Sequence, residues 1–537
     1  MGKLNWGKRA CAVVLLCVTS AIVLPAQTFT APQSGSVTPV VPDETVALPA
    51  QSFRTLHSFD GTDGFWPYAG LVQATDGNLY GTTVYGGNIP CYCSYGCGTI
   101  FKITPSGTLT TLYSFGSQSG CTDGSLPFAG LVQATDGNLY GTTYNGGPTL
   151  CNGYGCGTVF KITPGGVLTT LYSFCSQSGC PDGEFPYAGL VQATDGDFYG
   201  TTQFGGANGQ GTVFRITPSG TLTTLYSFCS QSGCTDGYRP WAGLVQATDG
   251  NFYGTTYAGG ANGQGTVFKI TPEGALTTLY SFCSQSDCTD GISPQAGLVQ
   301  ATDGNFYGTI NPGGRLGVGM VFKITPSGTL TTLHSFCSQL DCTDGEFPYA
   351  GLVQATDGNF YGTTGGGGAN GYNGYGTVFK ITPDGTLTTL YSFCSQSGCT
   401  EGPGPRGALA QATDGSFYGT TAVGGANTTA CLGNGCGTVF SLSVGLGPFV
   451  ETHPTSGWVG AAVKILGTNL TGATRVMFNG HAAVFSVVSS SLITTIVPAG
   501  VTTGPVEVVT PSGTLTSNRP FRVPRSFSPE STGEERE

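Results

Sequence analysis

Few side chains in this 537-residue sequence can do proton or metal chemistry, and their spacing says what they do. There are four histidines. His57 and His334 stand where other copies of a repeated segment carry tyrosines such as Tyr280, so they read as strand residues. His453 and His481 lie near the C-terminal end, which leaves no loop of the repeat region with a histidine for general-base work or metal binding. Acids recur in two series. The first, Asp76, Asp136, Asp195, Asp249, Asp303, Asp357 and Asp414, sits in Thr-Asp-Gly. A single acid in a tight turn bonds its own backbone, and calcium needs six to eight oxygens, so these are turn residues. The second, Asp63, Asp123, Asp182, Asp236, Asp290, Asp344 and Glu401, precedes glycine in a longer loop and reads first as capping. Carboxylate pairs for glycoside cleavage are the competing use of that series, with Asp182, Asp236 and Asp344 as the acids to test. No residue is assigned as catalytic, and no cofactor or metal is expected.

Just after the second acidic series comes a run of large side chains: Trp66 and Tyr68, Leu126 and Phe128, Phe185 and Tyr187, Arg239 and Trp241, Ser293 and Gln295, Phe347 and Tyr349, Gly404 and Arg406. Aromatic platforms placed this way suit sugar faces, and pockets combine an apolar lining with a few polar groups. The plainer role is packing between repeats. Gln295 and Arg406 break the symmetry, and a binding site on a repeat scaffold needs such differences. The candidate ligand set is therefore Trp66, Tyr68, Phe128, Phe185, Tyr187, Arg239, Trp241, Gln295, Phe347, Tyr349 and Arg406. The tyrosine shared by every copy (Tyr80, Tyr140, Tyr199, Tyr253, Tyr307, Tyr361, Tyr418) signals packing.

What positions these residues is a repeat. Ala129-Gly130-Leu131-Val132-Gln133-Ala134-Thr135-Asp136-Gly137-Asn138-Leu139-Tyr140-Gly141-Thr142-Thr143 recurs seven times, its aspartates 60, 59, 54, 54, 54 and 57 residues apart. Such a period means stacked supersecondary units. Within one unit Ala242–Ala247 is a short strand, Thr248-Asp249-Gly250 a hairpin turn, and Asn251–Thr256 a second strand. A glycine-rich loop leads to Thr266–Thr271, and Pro272-Glu273-Gly274 turns into Leu276–Phe282. Four antiparallel strands repeated radially make a propeller blade. The last unit stops after its third strand, Thr438–Leu442, while a spare fourth strand, Phe53–Phe59, opens the array. One N-terminal strand completing the last blade closes the ring and removes its open edges. The expected fold is all-β: a seven-bladed β-propeller over residues 51–445, followed by an immunoglobulin-like sandwich over 448–523.

Taken together, these repeats resemble the GloVer tandem-repeat family of bacterial secreted proteins, known for interchangeable anchors. The likeness spans roughly residues 53 to 445, and copy seven departs from it with Ala408-Leu409-Ala410. It implies a secreted or surface protein and brings no established activity or catalytic residues. Beyond Gly447, Pro454-Thr455-Ser456-Gly457, Val463–Leu470, Val476–Gly480, Val497–Gly500 and Gly504–Val508 resemble an IPT/TIG domain, consistent with short alternating strands and turns. Such domains imply spacers or adhesive modules.

Export is expected on two further grounds. Lys3, Lys8 and Arg9 precede an apolar run, Ala10–Leu24, with a small residue at Ala26, so residues 1–26 read as a signal peptide and 27–50 as a Pro/Thr/Ser-rich linker. Cysteine usage agrees. Of 20 cysteines, 18 lie beyond the signal. Cys175/Cys180, Cys229/Cys234, Cys283/Cys288, Cys337/Cys342 and Cys394/Cys399 recur as Cys-Ser-Gln-x-x-Cys, and Cys151/Cys156 and Cys431/Cys436 close two more short loops. Behind a signal these read as disulfides. Cys91, Cys93, Cys97 and Cys121 are irregular because Gly116 replaces a cysteine. The expectation is that Cys121 finds its partner in Cys91 or Cys93. Without the signal the charge is 16 basic against 30 acidic residues, net −14, which argues against nucleic acid and anionic membranes. Residues 524–537 form a polar tail with no hydrophobic anchor, and no span is expected after the signal is removed. The function expected is an exported, non-catalytic binding or surface-interaction protein. Its partner is an extracellular polysaccharide or surface protein; the alternatives are a polysaccharide hydrolase or lyase and a structural matrix protein.

Overall fold

A computed structural model describes residues 51–87, 95–149, 151, 153–372, 374–395, 399–427 and 431–524, apart from the side chain at 432. The expected signal peptide and linker, the polar tail, and Cys91 and Cys93 lie outside the described residues. The protein is all-β and propeller-like. Among the described residues each repeat forms one four-stranded antiparallel sheet, as in Val245–Gln246, Phe252–Thr256, Thr266–Ile270 and Leu276–Ser281. The first strand is shorter than its sequence predicts: only Val245 and Gln246 make ladder pairs, with Tyr253 and Phe252. The seventh repeat takes its fourth strand from the other end of the chain. Ser52–Ser58 pairs antiparallel with Thr438–Ser443, and the sheet continues through Phe417–Thr421 to Ala410–Gln411. In that sheet Phe53 stacks on Tyr391 of the sixth repeat at 4.0 Å.

Hydrophobic burial holds neighbouring sheets together. The second and third strands of a repeat are buried on both faces, Phe252–Thr256 completely and Thr266–Ile270 except at Lys269. This is why their β-branched and aromatic runs do not alternate with polar residues. In five of the seven repeats the shared tyrosine of the second strand does two things. Tyr253 stacks on Phe306 of the next repeat at 4.1 Å, and its hydroxyl donates to Asp249. Aspartate at the turn therefore anchors the core tyrosine as well as receiving the Asn251 backbone N–H. The glycine that follows is a packing requirement, because a Cβ at Gly254 would lie 2.7 Å from the Phe268 ring.

Two polar series link the repeats end to end. Each threonine before the turn aspartate donates its backbone N–H to a glutamine of the following repeat. The series runs Thr75–Gln133, Thr135–Gln192, Thr194–Gln246, Thr248–Gln300, Thr302–Gln354 and Thr356–Gln411, then returns as Thr413–Gln73. In parallel, a second-strand threonine hydroxyl donates to the carbonyl at the next repeat's inner strand, from Thr82–Ala129 to Thr420–Ala69.

The C-terminal domain is a sandwich of two four-stranded sheets. One contains Glu451–His453, Ala462–Leu466, Leu492–Ile496 and Phe485–Val487; the other contains His481–Ala482, Arg475–Phe478, Val506–Thr510 and Gly513–Thr516. Val463, Ile465, Val476, Phe478, Ile493 and Val508 fill the space between them. Its contacts with the repeats fall on the Thr-Asp-Gly turns. Ser491 donates to the Thr75 carbonyl, Lys464 to Thr135 and Arg522 to Thr248, while Thr468 and Thr413 share a hydroxyl bond.

Candidate functional site

Opposite the Thr-Asp-Gly turns lies the face formed by the loops after the fourth and second strands. Every repeat enters its inner strand there through x-Pro-x. The residue before proline is left-handed throughout: Trp66, Leu126, Phe185, Arg239, Ser293, Phe347 and Gly404 have φ between 50° and 64°. Such a conformation is uncommon for bulky residues and persists only where the surroundings fix it. The fixing contact is a backbone bond to the preceding repeat. Trp66 N–H donates to Cys436, Leu126 to Cys97, Phe185 to Cys156, Arg239 to Gln210, Ser293 to Gln264, Phe347 to Val318 and Gly404 to Tyr375. The proline then abuts a glycine of that same neighbour; a Cβ at Gly211 would lie 2.8 Å from Pro240.

This backbone divides the candidate residues in two. Those before proline turn into the seams between repeats. The Phe185 ring stacks on Tyr144 of the preceding repeat at 5.0 Å and the Arg239 guanidinium lies 5.0 Å from the Phe204 ring of its preceding repeat, while Trp66 meets Tyr85 of its own repeat at 5.4 Å. The indole nitrogen of Trp66 and the Nε of Arg239 are buried there without a hydrogen-bond partner. Packing is the role these contacts give Trp66, Phe185 and Arg239. Phe347 is half-buried in the same series, its ring centroid 6.5 Å from that of Tyr349.

Those after proline come together. Tyr68, Phe128, Tyr187, Trp241, Gln295, Tyr349 and Arg406 are all half-buried. Ring centroids of successive repeats lie 6.1 Å apart for Tyr68–Phe128, 4.9 Å for Phe128–Tyr187 and 5.5 Å for Tyr187–Trp241. Arg406 does not interrupt the arc; its guanidinium carbon lies 5.2 Å from the Tyr68 ring and 4.4 Å from Tyr349. Residues of six successive repeats thus form one continuous arc of π faces, broken only at Gln295. Burial pushes the Tyr187 hydroxyl up to about 12, with Tyr68 and Tyr144 acting the same way and Arg406 opposing. Glycine lets the inner strands approach this closely, since a Cβ at Gly130 would stand 3.0 Å from the Gly70 carbonyl oxygen.

The second acidic series is directed inward. Asp123, Asp236, Asp290 and Asp344 are fully buried at 0% exposure. In the fourth repeat unit Asp236 Oδ2 accepts from the Tyr226 hydroxyl and from both the backbone N–H and hydroxyl of Ser230. Asp182 and Asp290 repeat the node with Tyr172/Ser176 and Tyr280/Ser284. His334 and His57 replace the tyrosine, meeting Asp344 at 3.0 Å and Asp63 at 2.6 Å. These carboxylates tie their loops to the preceding strands. Cysteines brace the same loops through the disulfides Cys175–Cys180, Cys229–Cys234, Cys283–Cys288, Cys337–Cys342 and Cys394–Cys399, with Cys151–Cys156 and Cys431–Cys436 in the glycine-rich loops. Cys97 is disulfide-bonded and lies 3.9 Å from Cys121 between sulfurs. The expected pairing of Cys121 falls on residues outside the description. Among the described residues the metal-type groupings are Cys151/Cys175/Cys180 and Cys151/Cys156/Glu184, and all their cysteines are disulfide-bonded with no thiolate to offer.

Two residues of the mouth escape the sequence reading. Tyr257 stacks on Trp241 at 4.6 Å, and Tyr144 meets Phe128 at 5.6 Å. Both immediately follow Gly-Thr-Thr, a fixed offset that marks a second tier of the rim.

A family model described as the Gloeobacter/Verrucomicrobia repeat matches residues 45–182, 152–342 and 337–465, and the IPT/TIG domain model matches 449–523. No curated protein matches the sequence. Solved structures with a similar course of the chain include a fungal alcohol oxidase of the AA5 family in complex with copper, at 13% identity, TM-score 0.48, covering 88% of this chain and 99% of that one. An auxiliary nutrient binding protein from Bacteroides thetaiotaomicron matches at 13% identity and TM-score 0.38, covering 73% and 76%. The PQQ-bound aldose sugar dehydrogenase from Streptomyces coelicolor matches at 14% identity and TM-score 0.33, covering 74% and 99%.

Proposed function

This chain belongs to the Gloeobacter/Verrucomicrobia repeat family, and we propose that it is an exported, non-catalytic binding protein that takes a carbohydrate at the aromatic mouth of a seven-bladed propeller. The blade count is supported by two hydrogen-bond series that each return from the seventh repeat to the first, through Thr413–Gln73 and Thr420–Ala69. Export is supported by the disulfides of the loops, which persist in oxidising surroundings, and by the IPT/TIG domain.

The observation that carries the ligand class is the arc Tyr349–Arg406–Tyr68–Phe128–Tyr187–Trp241. Half-buried rings side by side around one opening offer flat apolar faces, the surfaces on which the C–H faces of sugar rings stack. The polysaccharide hydrolase or lyase reading is less favoured, since Asp182, Asp236 and Asp344 each have one carboxylate oxygen bonded to the preceding strand. The test is a panel of soluble polysaccharides, with binding and released reducing ends followed in parallel. Wild type should bind at least one polymer without releasing product, and the combined variant Tyr187→Ala/Trp241→Ala/Tyr349→Ala should lose that binding while keeping its β-sheet circular dichroism. Unchanged binding by the triple variant moves the site elsewhere. Silence on every polymer leaves a matrix or protein-binding role.

A further inference from the structure

Arg406 is chemically out of place in this molecule. The chain holds only 19 lysines and arginines against 30 acids, so a surface arginine has many carboxylates to pair with. Yet no described residue gives its guanidinium an ion pair or a hydrogen bond; its contacts are the ring faces of Tyr349 and Tyr68. The acids nearest in the loop architecture are turned away. Glu401, five residues before it, is 5% exposed and receives the Tyr391 hydroxyl, and Asp63 of the next repeat is held by His57.

Stacking uses the faces of a planar guanidinium, while its N–H donors radiate in the plane from the edge. The contacts of Arg406 with Tyr349 and Tyr68 use none of its N–H donors among the described residues, so its hydrogen-bonding fork is left for a ligand. That fork matches a carboxylate, which it can bind bidentately. The arc continues from Tyr68 through Phe128 to Tyr187 and Trp241. On the other side of Tyr349 the ring of π faces is interrupted by Gln295, a neutral donor and acceptor suited to hydroxyl groups.

We propose that the mouth selects acidic glycans, with Arg406 receiving the carboxylate of a uronate residue while Tyr68, Phe128, Tyr187, Trp241 and Tyr349 stack its sugar faces. The proposal rests on the carbohydrate reading above and narrows it to uronate polymers.

The test compares polygalacturonate with its fully methyl-esterified form and with a neutral glucan, using the whole secreted chain and titration calorimetry at fixed salt. Polygalacturonate should bind, and esterification, which removes the charge and keeps the ring, should weaken binding roughly tenfold or more, the worth of one charge-assisted bond. Arg406→Gln should abolish the preference for polygalacturonate over its ester, bringing the two affinities together. Arg406→Lys should fall between, keeping charge without the fork. Equal affinity for ester and acid, or an Arg406→Gln variant that binds the acid normally, overturns the acidic assignment while the carbohydrate reading stands. Binding of the neutral glucan alone does the same. Failure of all three polymers to bind overturns both. The ester comparison needs no variant, so misfolding of either substitution does not decide the outcome.

Discussion

At the scale of single residues, the carboxylates of this protein act mainly on its own fold. Asp236 accepts three bonds on one oxygen from Tyr226 and Ser230 while fully buried. Asp236→Asn keeps the shape, removes the charge that strengthens these bonds and adds a buried amide. It should lower unfolding stability by about 2–3 kcal/mol, whereas Tyr226→Phe, which takes away one donor, should cost about 1 kcal/mol. Urea midpoints compare them, and a larger loss for Tyr226→Phe would contradict the node. The turn aspartates make a second prediction. Burial opposes the charge on Asp303, but hydrogen bonds from Asn305, Lys323 and Tyr307 outweigh it and hold its carboxyl at about 2, against 3.8 ordinarily. Asp136 and Asp249 are also held below the usual range, burial again opposing and the asparagine two residues on outweighing it. A carboxyl lowered in the folded state stabilises fully above its unfolded value and loses that contribution as pH falls through the folded one. Thermal midpoints should accordingly be level above about pH 5 and fall between about pH 4 and pH 2; a midpoint unchanged across that window would show the turns to be unimportant. The acid–glycine spacing made the capping role of both series legible. The tyrosine and serine partners were not, because nothing local says that residues ten and six positions upstream fold back onto one oxygen.

At the scale of the element, the strand Ser52–Ser58 does most to make a ring of an open array. It provides the outer edge of the seventh sheet, and Phe53 carries the contact across the seam to Tyr391 and Phe393. Phe53→Ala removes most of a half-buried ring and should lower stability by about 2 kcal/mol. Its signature is in the order of melting: hydrogen exchange should quicken in Thr438–Ser443 before the middle sheets, because the loss is local to the closure. Uniform exchange across the sheets would refute a special role for this strand. The disulfide loops are graded the same way. Joining cysteines five residues apart removes little unfolded-chain entropy, so Cys229→Ser/Cys234→Ser should cost only about 2 kcal/mol. A missing fourth strand at one end and a spare at the other were readable as counts, and so was the four-strand unit. Strand lengths were less so. Ala242–Ala247 has the composition of a full strand, yet only Val245 and Gln246 pair, since the residues before them are drawn toward the opening, where inner strands meet backbone to backbone. The mouth was half legible for a related reason. Strand alternation alone would put Trp66 and Tyr68, two residues apart, on the same side; the left-handed residue before proline sends them to different sides, and no side-chain pattern announces it.

At the scale of the molecule, the two faces of the repeat body have different employments. The Thr-Asp-Gly face carries the IPT/TIG domain, whose Ser491, Lys464 and Arg522 donate to carbonyls of the first, second and fourth repeats. Those repeats do not all adjoin one another, so the domain reaches across that face rather than resting on one edge. Burial pulls the Arg522 guanidinium below its usual range, which fits a side chain set into the contact. The aromatic arc is at the far ends of the same inner strands and shares no residue with this contact. Energies of groups without common partners add to within about 0.5 kcal/mol, so removing the domain should move affinity at the mouth by no more than about twofold. A chain ending at Gly445 tests this directly. It should bind its polymer as the whole chain does, yet unfold at lower temperature, because the carbonyls of Thr75, Thr135 and Thr248 lose their donors. Arg522→Ala in the whole chain should reproduce part of that thermal loss with the mouth untouched. If either change abolished binding, ligand and domain would have to be coupled through the inner strands, and the IPT/TIG domain would be part of the site.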